Sequence, residues 1–141
     1  MDILLVEDNP ADMRLIREAL HEDGMPAALH WSASGESALD YLHGRGDHAA
    51  RALPDLVLLD LNLPGLNGHE VLAEIKGDAR LRQIPVVVLS SSTARKDVLS
   101  AYDAHANAYV VKPDDYERFL SLVGSLRSYW RDAVLLPSQA A

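Results

Sequence analysis

The sequence predicts an open α/β fold in which five strands and five helices alternate as (βα)5, a doubly wound parallel sheet covered on both faces. Three observations carry this. Short β-prone runs recur at 3–6, 28–33, 55–60, 84–90 and 108–111. Segments with apolar residues at helical spacing lie between them, and helices between apolar strands imply parallel crossovers. Runs without polar alternation, such as "VVVL", read as strands buried on both faces.

The bulk numbers set the limits. A chain of 141 residues suits one domain. With 48% hydrophobic and 24% charged residues its composition is that of an ordinary soluble protein. No apolar run approaches the ~20 residues of a membrane helix, and the N-terminus runs into "DILLV" without a basic leader. Absence of cysteine excludes disulfides and thiol chemistry and fits a cytoplasmic setting. A net charge of −8 argues against nucleic-acid binding, since phosphates must be met by Lys and Arg.

Taken in order, "ILLV" (3–6) is the first strand. Asn9 caps a helix with Pro10 in its first position, where the missing N–H costs nothing. Leu15, Ile16, Ala19 and Leu20 give that helix one apolar face before Gly24 and Pro26 stop it. "ALHWSA" (28–33) is the second strand, and a helix from Gly35 shows Ala38, Leu39 and Leu42. "HGRGDHAARA" (43–52) has no period and reads as a loop. "DLVLLD" (55–60) is the third strand; Asn67 with Glu70 forms a capping box ahead of Val71, Leu72 and Ile75. "IPVVVLS" (84–90) is the fourth, after which Ser92 or Thr93 caps a helix bearing Val98, Leu99 and Tyr102. "AYVV" (108–111) is the fifth. Asp114 with Glu117 then caps a helix carrying Tyr116, Phe119, Leu120, Val123 and Trp130, and "LPSQAA" reads as a frayed tail.

In such a sheet the site lies beyond the carboxyl ends of the strands. Glu7 and Asp8 follow the first strand, Asp60 and Asn62 the third, Ser90 and Ser91 the fourth, Lys112 and Pro113 the fifth. Clustered carboxylates repel unless a cation neutralises them. A hard divalent ion such as Mg²⁺ does so with oxygen ligands. One carboxylate can then act as nucleophile toward a phosphoryl group, with Ser90 and Lys112 binding its oxygens.

Together "VEDNP", "LLDLNLPGLNG", "VVVLSSS" and "AYVVKP" resemble the receiver domain of bacterial two-component response regulators, over residues 2 to about 127. The resemblance implies a flavodoxin-like sheet in strand order 2-1-3-4-5. It implies Asp60 as phosphoacceptor, with Mg²⁺ held by Asp8 directly, by Asp60 and by the backbone carbonyl of Asn62, and with Glu7 contributing nearby or through water. It further implies Ser90 as the hydroxyl that moves toward the phosphoryl group, Lys112 as its ion-pair partner, Tyr109 as an aromatic switch and a cis peptide before Pro113. Glu7 and Ser90 stand where Asp and Thr are commoner.

A narrower likeness, through "HGRGDHAARALPDL", "EVLAEIKGDARLRQIPVVVLSSS" and "YWRDAVLLP", is to the small regulators paired with phytochromes. It implies a phytochrome-type histidine kinase as partner. It also implies a receiver over 1–130 and a partly ordered extension over 131–141 that shares in a dimer contact. The last helix supports a second covering partner on its own, because Leu122, Leu126 and Tyr129 fall outside one stripe. Either the tail folds back over them, or a second copy meets the face of the fourth helix, fifth strand and fifth helix; the dimer is the expectation.

Other readings stand beside these. Asp60 as nucleophile of a small-molecule phosphatase would need a second acid two residues on, where Asn62 stands. A flavodoxin-type cofactor binder would need a Ser/Thr/Gly loop after the first strand, where the acidic "EDNPAD" would repel a phosphate. A relay intermediate without output of its own fits the same motifs. Tyr109 is otherwise a packed aromatic. The histidines at 21, 30, 43, 48, 69 and 105 lack the i, i+4 pairing of a zinc helix.

Overall fold

The computed structural model describes residues 1–21, 28–46 and 52–141. Five strands, β1 (Asp2–Val6), β2 (Ala28–Ser32), β3 (Leu56–Leu59), β4 (Val86–Ser90) and β5 (Ala108–Val111), alternate with α1 (Pro10–His21), α2 (Gly35–His43), α3 (Gly68–Gly77), α4 (Arg95–Asp103) and α5 (Tyr116–Ser128). All strand pairs are parallel, in the order β2-β1-β3-β4-β5. This is the expected doubly wound topology.

Side-chain alternation divides the core in two. Leu4, Val6, Val57, Leu59, Val86 and Val88 point to one face, against residues of α2, α3 and α4. Ile3, Leu5, Leu56, Leu58, Val87 and Leu89 point to the other, against α1 and α5. Both faces of the central strands are therefore dry, which is why 3–6 in β1, 56–59 in β3 and 86–89 in β4 are unbroken apolar runs. Each such side chain contributes about 1.5–3 kcal/mol by leaving water. Apolar sequence ends where the sheet does: the Asp60 N–H donates to the Val6 carbonyl (3.0 Å), one residue past the end of β3.

Local signals set the helix ends. Asn9 Oδ1 accepts from the Ala11 and Asp12 N–H groups, Ser34 caps α2, and Asn67 and Glu70 form the expected capping box. Two caps differ from expectation. The α5 cap is Asp115, which accepts from the Glu117 N–H, because the chain leaving Pro113 needs one more residue before turning helical. Ala94 occupies the α4 cap position, and Ser92, too far upstream to cap, bonds instead to the Ala94 N–H and the Asp97 carboxylate. Gly24 and Pro26, expected to stop α1, lie outside the described residues, as do 47–51 of the expected loop.

The tail is a larger difference. After α5 the chain makes a π-helical turn (Tyr129–Ala133) and a short 3₁₀ turn (Pro137–Gln139). Leu136 is 1% exposed, in the same cluster as Phe119, Val123 and Trp130. The Ser138 hydroxyl donates to Asp55 Oδ1 (2.5 Å) ahead of β3. Of the two covers expected for the last helix, the tail supplies one: the short apolar run 133–136 is too brief to show a period, yet its Leu136 finds an apolar site. Among the described residues no helix is long and apolar enough to cross a membrane.

Candidate functional site

Four strand ends converge. Glu7 is held by its own neighbourhood: its N–H donates to the Ser32 carbonyl (3.1 Å), its carbonyl accepts from Trp31 Nε1 (2.6 Å), and Oε1 accepts from the Asn9 N–H (3.2 Å). Asp8, next in the turn, is exposed. Asp60 is buried, and its Oδ1 accepts from the Asn62 N–H (3.1 Å). Carboxylate oxygens of Glu7, Asp8 and Asp60 lie within 4.8 Å of one another, and among the described residues this is the only such group of metal-binding side chains. An all-oxygen donor set with three carboxylates fits a hard divalent cation.

Lys112 closes the pocket from β5. Its N–H donates to the Ser90 carbonyl (2.8 Å), and Nζ reaches Glu7 Oε2 at 2.6 Å, Asp12 Oδ2 at 3.1 Å and Asp60 Oδ2 at 3.6 Å. It does so with a trans peptide before Pro113, as every described peptide bond is trans; the expected cis bond is absent. Trans is the lower-energy X–Pro isomer, and the long lysine stem spans the gap without the turn that cis would add. Burial pushes the Glu7 carboxyl up to about 7, aided by the Asp60 charge and opposed by Lys112. For Lys112, burial acts to lower the pKa, but the Glu7 hydrogen bond with the charges of Glu7 and Asp60 and the Asp12 contact outweigh it, so it is raised.

Ser90 and Tyr109 meet on one residue. Ser90 is fully buried, and its Oγ accepts from the Ser92 N–H (3.2 Å). The Tyr109 hydroxyl donates to the Ser92 carbonyl (2.9 Å), with its ring packed on the α2–α4 side of the core. Tyr102 Oη accepts from the Tyr109 N–H (3.1 Å), and Asp97 holds Ser92 while lying 3.7 Å from His69. A hydrogen-bonded path therefore runs from the fourth strand's end to the exposed side of α4.

Two contributors escaped the sequence reading. Asp12, in the first turn of α1, enters the pocket because that helix begins at Pro10, two residues after Asp8; the sequence offers only its closeness to the acidic pair as a signal. Trp31 gave none, since an indole in an edge strand reads as packing.

A family model, the response regulator receiver domain, matches residues 3–124. The chain belongs to this family. Response regulator Rcp1 of Synechocystis is 40% identical to this receiver over 136 residues, 96% of this chain and 92% of Rcp1. The crystal structure of the Mn²⁺-bound form of Rcp1 matches with a TM-score of 0.92, covering 96% of this chain and 98% of that one. The phosphorylated cyanobacterial phytochrome response regulator RcpA matches with a TM-score of 0.94 at 44% identity, over 96% and 97% of the two chains. The probable methanogenesis regulatory protein FilR2 of Methanothrix harundinacea is 46% identical over 128 residues, 91% of this chain and 82% of that protein. The receiver fold and the likeness to phytochrome response regulators both agree with the sequence reading.

Proposed function

We propose that this receiver takes a phosphoryl group onto Asp60 from the phosphohistidine of a phytochrome-type kinase in the cytoplasm, and signals by a change of surface rather than by turnover. The observation that carries the reading is the convergence of Glu7, Asp8, Asp60 and Lys112 in one pocket at the strand ends. An Asp60 oxygen attacks phosphorus, a P–O bond forms as the P–N bond to the kinase imidazole breaks, and the electron pair leaves with that nitrogen. Asp8, Asp60 and the Asn62 carbonyl, with Glu7 beside them, would hold Mg²⁺, which neutralises charge on the phosphoryl oxygens. Lys112 binds one phosphoryl oxygen, and the Ser90 hydroxyl turns to another.

The kinase class rests on the similarity to Rcp1 and RcpA. Residues 131–141 act as an extension to a receiver over 1–130. A second copy is the natural occupant of the α4–β5–α5 face, where Leu99, Tyr102, Val111 and Tyr116 are exposed although large and apolar. The test is labelling with radioactive acetyl phosphate and Mg²⁺. Wild-type protein incorporates label and Asp60→Asn does not; label retained by the variant would move the acceptor elsewhere.

A further inference from the structure

Lys112 has three ammonium hydrogens and three carboxylates around it, and the expected phosphoacceptor is the most distant of the three. Glu7 and Asp60 have side chains 2% and 7% exposed, whereas that of Asp12 is 28% exposed. The three are not equally free to let go. Releasing Glu7 would leave a buried group without its partner, which is costly. Asp12 sits at the N-terminus of α1, a favourable place for an anion, and water reaches it.

We propose that Asp12 is a positioning residue for phosphoryl uptake: its carboxylate holds the Lys112 ammonium aside from Asp60 and yields it when a phosphoryl oxygen arrives. This rests on the phosphoacceptor reading above and adds a regulator to that site. The charge balance points the same way. A divalent ion offsets the net charge of Glu7, Asp8, Asp60 and Lys112, so Asp12 leaves the loaded pocket with one surplus negative charge. That surplus favours cation binding and opposes an anionic phosphoryl donor. Asp12 thus sharpens the metal site at the expense of loading speed.

Three measurements on the full chain test it, with wild type, Asp12→Asn and Asp12→Glu: the rate of labelling by acetyl phosphate at saturating Mg²⁺, beryllofluoride affinity at saturating Mg²⁺, and Mg²⁺ affinity alone by calorimetry. The small donor keeps kinase docking out of the result. Asp12→Asn is expected to label roughly two- to fivefold faster, to bind beryllofluoride more tightly by a similar factor, and to bind Mg²⁺ about two- to threefold more weakly, the range a partly exposed ion pair supports. Asp12→Glu restores the charge and returns all three toward wild type. A merely structural role would weaken both ligands together, so opposite shifts are the signature. Unchanged or slower labelling in Asp12→Asn overturns the proposal, as does an Asp12→Glu protein that behaves like Asp12→Asn. Wild type that labels while Asp12→Asn matches it removes only the role of Asp12; wild type that takes no label removes the phosphoacceptor reading and this one with it.

Discussion

A Cβ on Gly68 would lie 2.3 Å from the Asp60 carbonyl oxygen and 2.4 Å from Leu61 Cα, so the start of α3 can press on the end of β3 only with glycine there. Gly65, three residues earlier, turns the chain at φ 67°. The Pro-Gly-rich turn after the most apolar strand is thus the means of aiming Asp60. Glu7 shows what that aim does to charge. Its folded pKa, about 7, exceeds its ordinary 4.5, so the folded metal-free protein holds a proton that the unfolded chain has released between those values. The contribution of Glu7 to stability is full below about 4.5 and falls as pH rises toward 7. In chelator, the stability difference between wild type and Glu7→Gln should therefore shift against wild type by on the order of 3 kcal/mol between pH 4.5 and 7.5, read by urea denaturation. A difference that is flat, or rises with pH, contradicts the burial account. Residues that directly follow strands, such as Glu7, Asp60 and Lys112, were legible because strand polarity alone sends them to one end. Asp12 was not, because its reach depends on the angle at which α1 leaves the sheet.

The alternation of strands and helices could be read from pattern because each element carries its own period and most carry a cap. What pattern missed are connections made by single side chains. Lys76, in the last turn of α3, donates to the Arg82 and Ile84 carbonyls and to Asn107 Oδ1, and the same oxygen accepts from the Val86 N–H. That knot fixes the start of β4, and a lysine in a polar stretch gives no hint of it. The tail is the plainest case. "LPSQAA" has neither period nor cap, yet Leu136 is buried against α5 and the Leu136 N–H is satisfied by Gln139 Oε1. If the tail is an integral cover of that helix, Leu136→Ala should cost about 2–5 kcal/mol, as other fully buried leucines do. An exposed, frayed tail would lose less than about 0.5 kcal/mol, the ordinary range for surface changes. Thermal and urea melts of the two proteins separate these outcomes, and Leu135→Ala, at an exposed neighbour, is the control.

At the scale of the molecule the sheet is a platform with chemistry at one end and an apolar face along one side, and a signal has to pass between them. Ser92 is the junction, since its N–H meets the Ser90 hydroxyl and its carbonyl meets the Tyr109 hydroxyl. On the proposed reading, a Ser90 hydroxyl drawn toward a phosphoryl oxygen would give up its bond to the Ser92 N–H or drag that residue along. On that reading Tyr109 would follow, because it is tied to Ser92 at one end and to Tyr102 on α4 at the other. Neither tie touches the carboxylates of Glu7, Asp8 or Asp60. Uptake and its transmission should therefore be separable. Tyr109→Phe keeps the ring in its packed place and removes one hydrogen bond, worth about 1 kcal/mol, or roughly fivefold in the balance between two surface states. The variant should bind beryllofluoride with Mg²⁺ nearly as wild type does, while the ligand-induced change in amide exchange over α4 and β5 shrinks by about that factor. An undiminished change would route the signal around Tyr109, and lost beryllofluoride binding would make the tyrosine part of the site itself.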